Sequence, residues 1–214
     1  MSFDWNAFDL LLAEKAPQML VGLRPPAKME DVDAAQKAMG RTLPKELISS
    51  FLAHDGQDRD WFSFYAFFGM YRWHTIAGVV DAYLYNAEML TQALAREDDP
   101  EVLVQKEAAL LPDQVVRADL WSPAWIPLAW DPTGAALFID LAPGPAGHVG
   151  QIVSWEPVDR ARSVPIAAGL DVLLESLASA LSDRRITCEH NNDFPGWTDA
   201  SSGEALYRFP TRAD

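Results

Sequence analysis

The chain of 214 residues has a single cysteine, Cys188. One cysteine excludes an internal disulfide and a cysteine-cluster zinc site. Basic residues are scarce: 17 Lys and Arg stand against 31 Asp and Glu, for a net charge of -14. A surface that binds nucleic acid must be basic to release counterions, so direct nucleic-acid binding is not expected. The same charge would steer a basic partner toward the protein. Long apolar runs are missing as well. None approaches the roughly 18–20 residues of a membrane span. The opening MSFDWNAFDLLLAEK has acids but no basic residue ahead of its short apolar run, unlike a secretory signal. A cytoplasmic protein without membrane contact is the expectation.

Familiar chemical motifs are also missing. The four histidines, His54, His74, His148 and His190, show neither helical metal spacing nor an HExxH pattern. No GxSxG nucleophile turn occurs. Gly144, Gly147 and Gly150 are spaced three apart, but the GQIVSW that follows reads as a strand, whereas a phosphate cradle opens onto a helix. Asp131 and Asp140 could form a carboxylate pair for acid–base chemistry. However, Asp131 is explained by its turn, and Asp140 alternates with Leu137, Ile139 and Leu141, which should turn it away from their apolar layer. Neither a catalytic constellation nor a cofactor or metal is expected.

What the chain does contain is periodic hydrophobicity. Phe8, Leu11 and Leu12 mark a helix over Trp5 to Lys15 that Pro17 should end. Met29, Val32, Ala35 and Met39 recur at helical spacing, with Gly40 as a left-handed stop. Leu47, Ile48, Phe51 and Leu52 form the stripe of a further helix, opened at Pro44 and closed by the turn His54-Asp55-Gly56. Trp61 to Trp73 has a strand-like aromatic composition, and Thr75 reads as the N-cap of a longer helix. That helix should bury Val79, Val80, Tyr83, Leu84, Leu90 and Leu94. Trp125 to Trp155 reads as three short strands, and the turn Asp131-Pro132-Thr133-Gly134 has type I chemistry. Pro127 cannot donate to a ladder, so the first of these strands should be an edge or begin there. Short, turn-bounded runs favour an antiparallel meander. Leu170, Leu173, Leu174, Leu177 and Leu181 define a clean amphipathic helix. The tail beyond Asp183 is polar; within it Trp197 to Gly203 reads as loop, and Glu204 to Phe209 could add one strand.

Eight tryptophans are many for this length. Trp5, Trp61, Trp125 and Trp155 are expected in the core. Trp73, Trp121, Trp130 and Trp197 fall near turns or element ends, where an exposed ring could anchor an interface or stack on a sugar.

Two stretches resemble the SUKH superfamily, the group named for the Smi/Knr-type cell-wall regulators. In PPAKMEDVDAAQKAMGRTLPKELISSFLAHDGQ an acidic amphipathic helix (Asp31 to Met39) leads through Gly40 and Leu43-Pro44 to Phe51-Leu52 and Asp55-Gly56. The second half carries Trp125-x-Pro127, Asp131, Gly134, Asp140, Gly150-Gln151 and Trp155. The resemblance implies an α+β fold: a mostly antiparallel sheet packed with N-terminal helices and a C-terminal amphipathic helix. A single domain over 1–214 is expected, with its core at 25–181, an insertion at about 97–119 and an extra tail at 183–214. Bacterial members resembling this chain act as immunity proteins that bind and neutralise toxins, many of them nucleases. Fungal members act as intracellular regulatory scaffolds of cell-wall synthesis. The first expectation is therefore a non-catalytic immunity protein facing a basic cognate toxin, and the alternative is the regulatory scaffold. A sugar-binding or enzymatic role for Asp131, Asp140 and exposed tryptophans stands third. The expected partner-binding residues join acids to aromatic anchors: Asp55, Asp58, Asp60 and Trp61, then Glu97, Asp98 and Asp99, with Trp121 and Trp130.

Overall fold

A computed structural model of the chain describes residues 3–57, 66–96, 115–116, 121–156, 164–191 and 194–206. Helix α1 spans Trp5–Lys15, with the Asp4 side chain accepting from Ala7 N at 3.1 Å as its N-cap. Pro17 ends α1 as expected but also opens a short α2, Pro17–Val21, because proline suits a first helical position. Helix α3 is Met29–Met39. Asp31 reaches back to accept from Lys28 N, and Gly40 stops the helix at φ +62°. Helix α4 is Lys45–Ala53, β1 is Arg72–Trp73 and α5 is Ile76–Arg96. The strands β2 (Trp125–Trp130), β3 (Ala136–Asp140), β4 (Gln151–Trp155) and β5 (Val164–Ala167) follow. Helix α6, Leu170–Ser182, and strands β6 (Ile186–Asn191) and β7 (Phe194–Asp199) complete the described elements.

The main sheet is an antiparallel meander in the order β1-β2-β3-β4-β5. Together with the flanking helices it makes an α+β fold. Pro127 does not lie on an edge strand, since β2 is flanked by β1 and β3. The proline is tolerated because β1 reaches only Trp130 and Ala129, with His74 N donating to Leu128 O just beyond. On the β1 side Pro127 therefore has no ladder bond to lose. The register also shifts between Pro127 and Ala129.

Residues Trp125 to Ala129 are buried in unbroken succession, as are Leu137 to Asp140. Neighbouring strand residues face opposite ways, so both faces of the sheet are covered here. This corrects the placement of Asp140. It does alternate with Leu137 and Ile139, but the other face is no more open than theirs, and Asp140 is 0 % exposed. Its carboxylate accepts from Ala142 N and from Gln151 Nε2, each at 3.0 Å. The same Gln151 amide donates to Val115 O, and its oxygen accepts from His148 N. The Gly-Gln step thus fastens the β3–β4 connection to the sheet.

Most residues that periodicity assigns to the helix cores are buried, but Met29, Leu52 and Leu84 are 45 %, 39 % and 48 % exposed. Leu170, Leu173, Leu174, Leu177 and Leu181 of α6 join Phe8 and Leu12 of α1, Leu47 and Phe51 of α4, and the sheet in one continuous core. The loop reading is corrected at its start, because Trp197 to Asp199 belong to strand β7. Ile186 to Asn191 pairs with Phe194 to Asp199 as a separate two-stranded sheet. Trp197 is buried, and its indole N–H donates to Phe67 O at 2.9 Å. The turn that follows is held by Asp199, whose carboxylate accepts from Ser201 and Ser202. Those hydrogen bonds, the Ser201 hydroxyl first, hold its pKa at about 2.

Candidate interaction surface

The residues around His54 to Gln57 show how the sequence builds its central junction. Asp55 Oδ1 accepts from Ile76 N at 2.7 Å, and Thr75 Oγ1 accepts from Gly78 N at 3.0 Å, so two side chains cap the start of α5. Asp55 Oδ2 also lies 3.5 Å from Arg24 Nε. His54 sets Nδ1 3.2 Å from Arg24 O and Nε2 3.0 Å from Asp9 Oδ1, joining the end of α4 to α1. Gln57 Oε1 accepts from Phe67 N and Trp73 N. The His-Asp-Gly-Gln run therefore ties together α1, the Arg24 connector, β1 and α5.

Asp55 is turned inward, with its side chain 17 % exposed. Burial raises its pKa, against the opposing effects of the Ile76 N–H and the Arg24 guanidinium. A carboxyl group with a raised folded pKa supports the fold fully below its unfolded value, and that contribution is lost as pH climbs through the folded value. We therefore expect wild type to lose stability relative to Asp55→Asn as pH rises from below about 3.8 toward neutrality. Asn keeps an acceptor for Ile76 N but never ionises. Thermal melts of both proteins across that range would check this; a pH-independent difference would refute it.

Trp121 is 6 % exposed and meets Tyr83 edge to face at 5.2 Å. Tyr83 in turn donates to Pro123 O and accepts from Arg41 Nε. Trp121 thus packs the segment before β2 onto α5. Trp130 is half-buried, and its ring lies nearly parallel to His74 at 6.4 Å. It forms one wall of a shallow hollow shared with Gln57, Arg72 and Thr75. Asp58, Asp60, Trp61, Glu97, Asp98 and Asp99 lie outside the described residues. Among the described members of the expected set, Asp55 and Trp130 are partly exposed and Trp121 is buried.

Of the other tryptophans near element ends, Trp73 and Trp197 are core residues at 1 % and 2 % exposure. Asp131 is equally internal: its Oδ1 accepts from Thr133 N, Thr133 Oγ1 and Ala135 N, which shapes the β2–β3 turn. Among the described residues no group of three or more His, Cys, Asp or Glu could hold a metal ion. None of the described helices is long and apolar enough to cross a membrane.

Sequence reasoning missed the apolar surface. Leu84 and Tyr85 on α5 are 48 % and 61 % exposed, and Leu10 and Val21 are both 74 % exposed. Periodicity assigns Leu84 to the buried stripe of α5, but periodicity cannot say how wide a stripe the neighbours cover. The usable signal was Asp81-x-x-Leu84-Tyr85-x-x-Glu88, a spacing that puts all four side chains on one helical face.

Helices around an antiparallel meander, with the motif acids turned inward to hold turns and helix ends, define a scaffold of the α+β class. Residues 26–176 match the SMI1 / KNR4 family (SUKH-1), and the chain belongs to that family. It is 30 % identical over 155 residues to the cell wall biosynthesis/cell cycle regulator smi1 of Schizosaccharomyces pombe, covering 72 % of this chain and 31 % of that protein. It is 27 % identical over 173 residues to a glucan synthesis regulatory protein of Neurospora crassa, covering 70 % and 32 %. With the cell wall assembly regulator SMI1 of Saccharomyces cerevisiae it shares 25 % identity over 175 residues, covering 71 % and 34 %. The alignments thus reach about a third of the length of these relatives.

Proposed function

We propose that this chain is a regulatory protein-binding module that acts by tethering partner proteins and performs no chemistry of its own. The observation that carries the reading is membership of a family whose matched relatives are named as regulators of cell-wall and glucan synthesis. The local geometry is in keeping with it. Asp55, Asp131 and Asp140, the acids that stand out in the sequence, all hold backbone groups of their own fold. The names of the relatives favour this alternative over toxin neutralisation, which the sequence alone ranked first.

Toxin neutralisation stays as a second reading on one observation, the net charge of -14, which suits a basic toxin. One experiment separates the two. The tagged chain is crosslinked in its native cells, and the captured proteins are identified and weighed against the bait. Several partners at substoichiometric levels support the regulatory module. A single basic protein at equal stoichiometry, lethal when expressed without the chain, would replace it with the immunity reading. No captured protein at all, or turnover of a small compound by the purified chain, would overturn both.

A further inference from the structure

Helix α5 presents a compact recognition patch. It packs its inner side, with Ile76, Val79 and Tyr83 buried, against α3 and β2. On its outer side Asp81, Leu84, Tyr85 and Glu88 follow one another at i, i+3, i+4 and i+7, and all four are exposed. Such spacing makes a diamond on a helix surface, with the carboxylates at the poles and the apolar pair at the waist. The poles stand about 10 Å apart along the axis, seven residues at about 1.5 Å each. The helix carries no lysine or arginine before Arg96 at its end. Among the described residues Glu88 accepts a side-chain amide proton, from Gln92 Nε2 at 3.1 Å, and both carboxylates are exposed to solvent, where a partner's cation can reach them. A tyrosine beside a leucine offers rigid apolar area at small entropic cost, as interface anchors do.

We infer that this face of α5 docks a basic amphipathic helix of a partner protein. The partner's apolar side would lie on Leu84 and Tyr85, and two of its lysines or arginines, one heptad apart, would meet Asp81 and Glu88. This rests on the protein-binding reading and adds to it the surface and the chemistry of the partner. Charge complementarity is the reason for choosing this occupant over a second copy of the chain, because a second copy would bring the same two carboxylates against their like.

The probe is a synthetic amphipathic helix of leucine and lysine with its lysines one heptad apart, titrated by calorimetry into the full chain. A version with glutamate for lysine serves as the counterpart. We expect the lysine peptide to bind and the glutamate peptide not to. Leu84→Ser/Tyr85→Ser and Asp81→Lys/Glu88→Lys should each raise Kd about tenfold or more. Glu14→Lys/Glu204→Lys, which makes the same charge change at exposed positions elsewhere, should leave Kd within about twofold. Circular dichroism confirms that each variant is folded. Equal weakening by the Glu14/Glu204 pair, or full binding by the Leu84/Tyr85 pair, would overturn the inference. So would a dimer of the chain alone that Leu84→Ser dissolves. If partners captured from native cells still bind the α5 variants, this surface falls and the module reading stands; an empty capture defeats the module and immunity readings, while the peptide titration decides this surface separately.

Discussion

Gly56→Ala should unfold this protein or bring it to the edge of unfolding, whereas Gly40→Ala should not. Both glycines have left-handed backbone, φ +65° and φ +62°, so both alanine variants incur a conformational cost of roughly 1–2 kcal/mol. They differ in what a methyl group would meet. At Gly40 nothing lies within 4 Å. At Gly56 the new carbon would overlap His74 O and stand 2.8 Å from Thr75 N. These are backbone atoms at the entry to α5, so no rotamer change relieves the overlap. To make room, His74 to Ile76 must move, and the Asp55 and Thr75 caps of α5 are lost with them. We expect Gly56→Ala to cost about 4 kcal/mol or more, a large share of the roughly 5–15 kcal/mol that stabilises a typical domain. Urea titrations of the two variants beside wild type would measure the contrast; equal losses would show that the approach to His74 is not the deciding constraint.

Trp73→Ala should be nearly as damaging, at roughly 3–5 kcal/mol. Trp73 is 1 % exposed and is the hub of an aromatic cluster drawn from distant parts of the chain. Its ring lies nearly parallel to Trp5 at 5.6 Å and to Phe51 at 5.8 Å, and it also meets Phe67 at 5.6 Å and Phe68 at 6.1 Å. Truncation opens a cavity between α1, α4 and β1, and it removes ring-to-ring contacts worth about 0.5–1.5 kcal/mol each beyond their area. Its backbone compounds the effect: Trp73 N donates to Gln57 Oε1 and Trp73 O accepts from Gln57 N. A relaxing β1 would therefore loosen the His54–Gln57 junction too. The check is the midpoint of denaturation for Trp73→Ala and Trp73→Phe. Phe should retain about half the stability that Ala loses, since it fills most of the space. A loss under about 1 kcal/mol for Ala would mean that the cluster is not a packing centre.

These two positions show how unevenly the sequence discloses its structure. Helices α1, α3, α4, α5 and α6, and strands β2 to β4, were legible because their apolar residues repeat at the period of the element they form, and Gly40 and Thr75 punctuate the helices. The Asp55-Gly56 turn was legible as a turn but not as the junction of four segments. The β6–β7 hairpin was not legible. Its residues are largely polar, and its anchor, Trp197, finds Phe67 130 positions away. The expected partner-binding set was drawn from sequence as acids and tryptophans together, yet Asp55 and Trp121 proved to face inward, while Leu84 and Tyr85 face out.

Local chemistry determined where helices, strands and turns begin and end, because capping, periodicity and left-handed glycine conformations act over a few residues. Those same residues, in their order, also sufficed to name the family. Tertiary packing decided which faces remain open. Whether Asp140 is covered and Leu84 is bare depends on which elements come to lie against them, and that is a property of the assembled layers that no short stretch of chain contains.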